Sequence, residues 1–226
     1  MAHDIPASNE DPTLGLHWIE DYSSLIGVEA VERILTKAGR LRSARIGHVS
    51  STLYGGGVAE ILTPLTLLMN TMGIATGWHV IQGTPEFFSS TKKIHNGLQG
   101  AHVELSSNEK AIYEEIIVEN ALRLHLKGHD AIIVHDPQPL PLIRHLRDNR
   151  VPWIWQCHID LSEPHPPAWN YVRRFVEQYS AAAFSLPDYA QRLRIPQRFI
   201  SPAINPFSIK NRELSEEQIR TCLAYH

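Results

Sequence analysis

From residue 42 to residue 205 the chain alternates short apolar runs with longer stretches in which apolar residues recur at helical spacing. The first pattern suits buried strands and the second amphipathic helices. Ile46 to Ser50 reads as a strand, followed by the turn Tyr54-Gly55-Gly56-Gly57. Val58, Ile61, Leu62, Leu65, Leu68, Met69 and Met72 then predict a helix, and Gly73 stands where a terminating glycine belongs. Trp78 to Gln82 predicts a second strand and Glu86 to Leu98 a helix. Ser106 and Glu109 have capping-box spacing, opening a helix expected to reach Leu126. Asp130 to Val134 is the clearest buried strand. A helix is expected over Pro137–Asn149, a strand over Trp153–Cys157 and a helix over Trp169–Gln178. Ala181–Ser185 and Phe199–Ile200 complete the strands. This alternation predicts an α/β fold with a mostly parallel sheet and helices on both faces.

The flanks differ. Met1 to Thr13 is a polar lead-in, and Ser23 to Leu41 is an amphipathic helix that covers either its own domain or a partner, making it a candidate homo-dimer contact. Beyond Pro206, Asn211 to Ala224 is expected to form one polar helix with little to bury.

Composition narrows the class. The 226 residues are 43% apolar and 20% charged, with a formal net charge of −3. A chain of this length buries roughly 70% of its unfolded surface, enough for one domain, and is too apolar to be disordered. The near-neutral charge lacks the basic stripe of a nucleic-acid binder. Thirteen histidines reverse the sign of that charge if all are protonated, which makes solubility and partner binding sensitive below about pH 6.5. Cys157 and Cys222 read as reduced thiols. The polar start has no apolar run, and no stretch is apolar for the length that a membrane helix needs. A soluble cytoplasmic protein with no nucleic-acid or membrane partner is therefore expected.

Three polar clusters directly follow predicted strands: Ser50-Ser51-Thr52 with Gly55-Gly56-Gly57, then His135-Asp136, then His158-Ile159-Asp160. In an open parallel sheet the carboxyl ends of the strands share an edge, so these clusters should converge there. The triple glycine permits close backbone approach at a helix N-terminus, which favours a phosphate. It is no Walker A loop, and Glu60 stands where the third glycine of a dinucleotide fingerprint belongs. A tight strand-to-helix turn is the competing reading. His135-Asp136 and His158-x-Asp160 read as metal ligands, as a general base with its carboxylate, or as sugar-binding groups. Loop capping by Asp136 and Asp160 is the bland alternative. Trp153, Trp155 and Trp169 suit stacking on a sugar but more often belong to a core. Lys92, Lys93 and His95 suit a phosphate or a solvated helix face, and Pro164-His165-Pro166-Pro167 reads as a rigid loop.

The segments His48-Val49-Ser50-Ser51-Thr52, Gly55 to Leu62, Val134 to Pro139 and Trp155 to Ser162 resemble the N-terminal domain of glycosyl-transferring trehalose synthases. These belong to retaining glycosyltransferase family 4, close to retaining trehalose phosphorylases. Glu86-Phe87-Phe88, His95 to Gly100, Arg173 to Glu177 and Pro202 to Pro206 extend the resemblance from about Tyr22 to Leu214. It implies the N-terminal half of a GT-B fold, in which two Rossmann-like domains face a cleft. By that resemblance, residues 42–205 form the Rossmann-like acceptor-side domain, preceded by the lead-in and helix over 1–41. Residues 206–226 begin the inter-domain linker.

The implied reaction transfers glucose from a nucleoside-diphosphate glucose to glucose, giving trehalose with retention. The resemblance places Gly55, Gly56 and Gly57 near the donor phosphates. Asp136 becomes the carboxylate that holds acceptor hydroxyls and His158 the histidine beside the transferred glucose, with His135, Gln138 and Asp160 as further substrate contacts. No cofactor or metal is called for. The partners expected are small sugars: glucose, trehalose and nucleotide-glucose. The family's C-terminal domain carries the cations for the donor pyrophosphate, and nothing in residues 201–226 replaces them, so the isolated chain is expected to be nearly inactive. A trehalose phosphorylase and a non-catalytic sugar-binding or assembly module are the alternatives. A nicotinamide-dependent oxidoreductase is disfavoured by Glu60.

Overall fold

The computed structural model describes residues 17–208, 211 and 213–224. The lead-in expected over Met1–Thr13 lies outside the described residues, as does the side chain of Cys222. In chain order the elements are α1 (Ser23–Ile26), α2 (Val28–Gly39), β1 (Arg45–Ser50), α3 (Gly57–Thr71) and β2 (Ala75–Val80). They continue with α4 (Pro85–Leu98), α5 (Ser107–Arg123), β3 (Ala131–His135), α6 (Ile143–Leu146) and β4 (Trp153–Cys157). Then follow α7 (Pro166–Val176), β5 (Ala181–Phe184), β6 (Gln197–Phe199) and α8 (Glu216–Ala224).

The strands form one sheet in the order β2-β1-β3-β4-β5-β6, and every neighbouring pair is parallel. Parallel strands with crossover helices bury both faces, which explains the near-continuous apolar runs. The period-two alternation of strand side chains sends residues to opposite faces. On one face Val49, Ile132, Val134, Trp153, Trp155, Cys157, Ala182 and Phe184 meet Phe87 and Ile94 of α4, Tyr113 and Ile117 of α5, and Val172 and Phe175 of α7. On the other, Ile46 and Ile133 pack with Ile74, Ala38 of α2 and the methionines Met69 and Met72 of α3. The main core lies on the first face. The second face is thinner, and polar side chains share it.

Local chemistry sets the boundaries. Thr84 caps α4 through the Phe87 N–H, with Pro85 in the first turn. Ser106 and Glu109 form the expected reciprocal capping box at α5. That helix stops at Arg123, short of Leu126, because Leu124 turns extended.

The amphipathic stretch Ser23–Leu41 is two helices rather than one. Gly27, at φ 82° and ψ 152°, leaves the helical region and caps α2. The helix expected over Pro137–Asn149 is the larger correction. Pro137, Pro139 and Pro141 have no N–H to donate, so the chain makes only a 3-10 turn at Leu140–Leu142 and the four-residue α6. The Pro137 carbonyl accepts the Leu140 N–H and the Tyr113 hydroxyl, and the Leu140 carbonyl accepts the Tyr179 hydroxyl. In the tail the helix begins at Glu216, not Asn211, after Asn211 has been held in a turn by Asn205 and Ser208. No helix among the described residues is long and apolar enough to cross a membrane.

Candidate functional site

Three adjacent strands, β1, β3 and β4, deliver the polar clusters to the carboxyl edge of the sheet. His48 of β1 lies opposite Ile133 of β3, and His135 lies opposite Gln156 of β4. Each next histidine, His135 and then His158 just past the end of β4, therefore stands two residues further along the chain than its neighbour's partner. A two-residue step keeps the side chain on the same face. The result is a diagonal of three imidazoles climbing toward the edge. Their rings stack, with centroids 5.2 Å apart at both steps. His48 Nδ1 lies 2.9 Å from His135 Nε2, and His135 Nδ1 lies 2.9 Å from His158 Nε2. His48 and His135 are buried, whereas His158 is partly open.

Asp136 occupies the exit of β3 with φ at +62°, the left-handed region that non-glycine residues seldom enter. That kink lets its N–H donate to the Gln156 carbonyl at 2.9 Å while its own carbonyl accepts the Trp155 indole N–H at 3.0 Å. Its Oδ1 accepts the His158 backbone N–H at 2.8 Å. The carboxylate is thus fixed against the residue that carries the outermost imidazole.

Electrostatics follow from burial. Desolvation holds His48 down to about 4 and His135 well below the ordinary histidine value, with neighbouring imidazoles adding to the His135 shift. Burial also lowers His158, opposed by Asp136. Asp136 itself is raised by burial, against the pull of His158 and His95 and the hydrogen bond from the His158 amide. The three rings are consequently neutral near pH 7.

The other expected residues divide. Gly55 and Gly56 take φ of 73° and 83°, Gly56 caps α3, and no side chain caps that helix. A Cβ at Gly55, Gly56 or Gly57 would meet nothing, so this loop is open to close approach. Gln138 has a buried Oε1 with no hydrogen-bond partner among the described residues. Asp160 is exposed and its Oδ1 accepts the Ser162 N–H at 2.8 Å, so its carboxylate closes a loop. Trp153, Trp155 and Trp169 are core residues on the opposite face from the histidines. Lys93 pairs with Glu109 at 3.0 Å, while His95 of α4 is close enough to Asp136 for each to shift the other. His165 opens α7 and ties the proline-rich loop to Gly97 through its N–H.

Sequence reasoning passed over His48 as a site residue because a histidine inside a strand gives no signal on its own. Only the staggered pairing with β3 shows where it points. Gln156 was likewise missed. With His158 it forms the sheet's contribution to a cavity of about 290 Å³ whose other walls include Tyr22, Ile61, Pro64 and Leu65. Residues 200–205 also line it.

Fold and site together define a Rossmann-like α/β domain of the kind that forms the N-terminal half of GT-B proteins, with its polar crevice at the carboxyl edge of a parallel sheet. Residues 48–191 match the family described as trehalose synthase, N-terminal domain, and the chain belongs to that family. It is 46% identical over 204 residues to the trehalose synthase of Thermococcus litoralis, an alignment covering 89% of this chain and 49% of the relative. The trehalose synthase of Rubrobacter xylanophilus is 39% identical over 206 residues, covering 88% and 49%. The trehalose phosphorylase of Pleurotus pulmonarius is more distant, at 28% over 177 residues, covering 68% and 24%. The chain spans about half the length of the curated trehalose synthases that it matches.

Proposed function

We propose that this chain is the acceptor-side domain of a retaining glycosyltransferase that moves glucose from a nucleoside-diphosphate glucose to glucose, forming trehalose. The observation that carries the reading is Asp136 held against His158 at the strand exits, in a chain similar to trehalose synthases. A fixed carboxylate, a partly open imidazole and the orphaned Gln138 oxygen are directional partners for sugar hydroxyls. The uncapped start of α3 behind Gly55 and Gly56 offers amides and a helix dipole to the donor phosphates.

In the proposed reaction the bond from the glucose anomeric carbon to the phosphate oxygen breaks. The bond to the acceptor hydroxyl forms on the same face, and the acceptor proton passes to the leaving phosphate oxygen. No protein base and no metal is required by that balance. Asp136 orients the acceptor, and His158 contacts the transferred sugar. The cations that offset the leaving pyrophosphate are expected from the remainder of a protein of the relatives' length.

The same chemistry run with phosphate would make a trehalose phosphorylase, but the higher identity to synthases favours the first reading. A coupled assay decides. A full-length protein carrying this chain should release nucleoside diphosphate when given nucleotide-glucose and glucose, while residues 1–226 alone turn over little. Phosphate-dependent cleavage of trehalose without nucleotide-dependent synthesis would reverse the choice. Glucose binding by a full-length protein that catalyses neither reaction would leave a non-catalytic sugar-binding module.

A further inference from the structure

We propose that His135, with His48 behind it, is a positioning residue that holds the His158 ring as its Nδ1–H tautomer, so that it meets its ligand as a hydrogen-bond donor. The sugar identity of that ligand rests on the reading above, whereas the tautomer is a property of the chain alone.

The argument is one of proton accounting. Each of the two ring-to-ring contacts, both 2.9 Å, needs one N–H and one lone pair. The middle ring, His135, is buried and neutral, so it brings one hydrogen to two contacts. Only two polarities then exist. In the first, His158 Nε2–H donates to His135, which donates to His48, and the proton left over sits on His48 Nε2. In the second, His48 Nδ1–H donates to His135 Nε2 and His135 Nδ1–H donates to His158 Nε2.

His48 Nε2 decides between them. It is buried and has no hydrogen-bond partner among the described residues. The first polarity strands an N–H there; the second leaves a bare lone pair. Buried N–H groups without a partner are rarer than acceptors left short, so the second polarity is the one the fold selects. It places the His158 hydrogen on Nδ1, the ring nitrogen that makes no hydrogen bond within the described residues, on a side chain lining the 290 Å³ cavity. A ring in that state has no free lone pair with which to act as a base. It can only give a hydrogen bond, which suits a hydroxyl or phosphate oxygen and fits a reaction whose proton leaves with the phosphate.

The charged and titratable groups around the ring are Asp136 and His135, with His48 and His95 one contact further out. Asp136 touches the His158 backbone N–H, so it fixes the residue's position without choosing its tautomer.

Long-range nitrogen–proton correlation spectra of the 226-residue chain with labelled histidine, at pH 7.5, test this. Signals are assigned with His158→Asn. The wild-type chain should show His158 as a single Nδ1–H tautomer. In His135→Leu, which removes the donor to His158 Nε2, that purity should be lost, whereas His48→Leu leaves His135 Nε2 without a partner and by the same rule keeps the hydrogen on Nδ1. An Nε2–H signal for wild-type His158 overturns the proposal, even if neither variant folds. A His158 signal unchanged in folded His135→Leu also overturns it. Added glucose separates the two readings: a pure Nδ1–H tautomer indifferent to glucose sustains the positioning role and refutes the sugar reading.

Discussion

Asp136 combines two features that pull against each other. Its backbone sits at positive φ and its carboxylate is buried enough to be pushed above the ordinary aspartate value. A carboxylic acid that prefers its neutral form when folded opposes folding once it ionises, so this contribution worsens as pH rises past 3.8. Asp136→Asn keeps an oxygen for the His158 amide while removing the charge. The variant is expected to melt higher than the wild type at pH 7. Its glucose affinity should fall about 10- to 100-fold, the scale of one hydrogen bond to a charged group. Thermal melts and titration calorimetry on the same samples check both directions, and unchanged affinity removes Asp136 from the sugar site. At this scale the sequence exposed Asp136 and His158 because each breaks an apolar run. His48 stayed hidden because its partner is 87 positions away and only strand register brings them together.

Among elements, the strand-to-helix turn before α3 carries the sharpest constraint. Gly56 holds φ 83° and ψ 157°, a conformation essentially closed to other residues. Its surroundings are empty, so a methyl group there clashes with nothing and only the backbone is strained. Gly56→Ala should therefore lower unfolding free energy by about 1–3 kcal/mol. Urea denaturation reads this directly, and an unchanged midpoint would mean that the turn adopts another shape in solution. The pattern of the chain announced this turn, the α5 capping box and the strands, all of which depend on neighbours in sequence. It failed over residues 137–149, where apolar spacing looked helical but three prolines removed the donors. It also ran α1 and α2 together across Gly27, since a single glycine leaves the apolar spacing intact.

For the whole molecule, the convergence of His135, Asp136 and His158 was legible because parallel topology is a general rule, not a local preference. The histidine diagonal also gives the domain an acid sensitivity. His48, His79, His95, His135 and His158 are all lowered, chiefly by burial. The unfolded chain binds protons at these rings near pH 6.5, while the folded chain does not, so their stabilisation is complete above that pH and declines below it. For His48, lowered to about 4, the decline runs at about 1.4 kcal/mol per pH unit between 6.5 and its folded value. Urea midpoints should fall steeply from pH 7.5 to pH 5, with a shallower fall in His48→Leu. A flat profile would contradict the burial of these rings.

The strand order has one more consequence. β1, β3 and β4 each have a neighbour on both sides, whereas β2 and β6 are the edges. Interior strands of a sheet release their amide hydrogens to solvent only when the whole unit opens. The strands that lead into Asp136 and His158 should therefore be among the last parts of the domain to exchange.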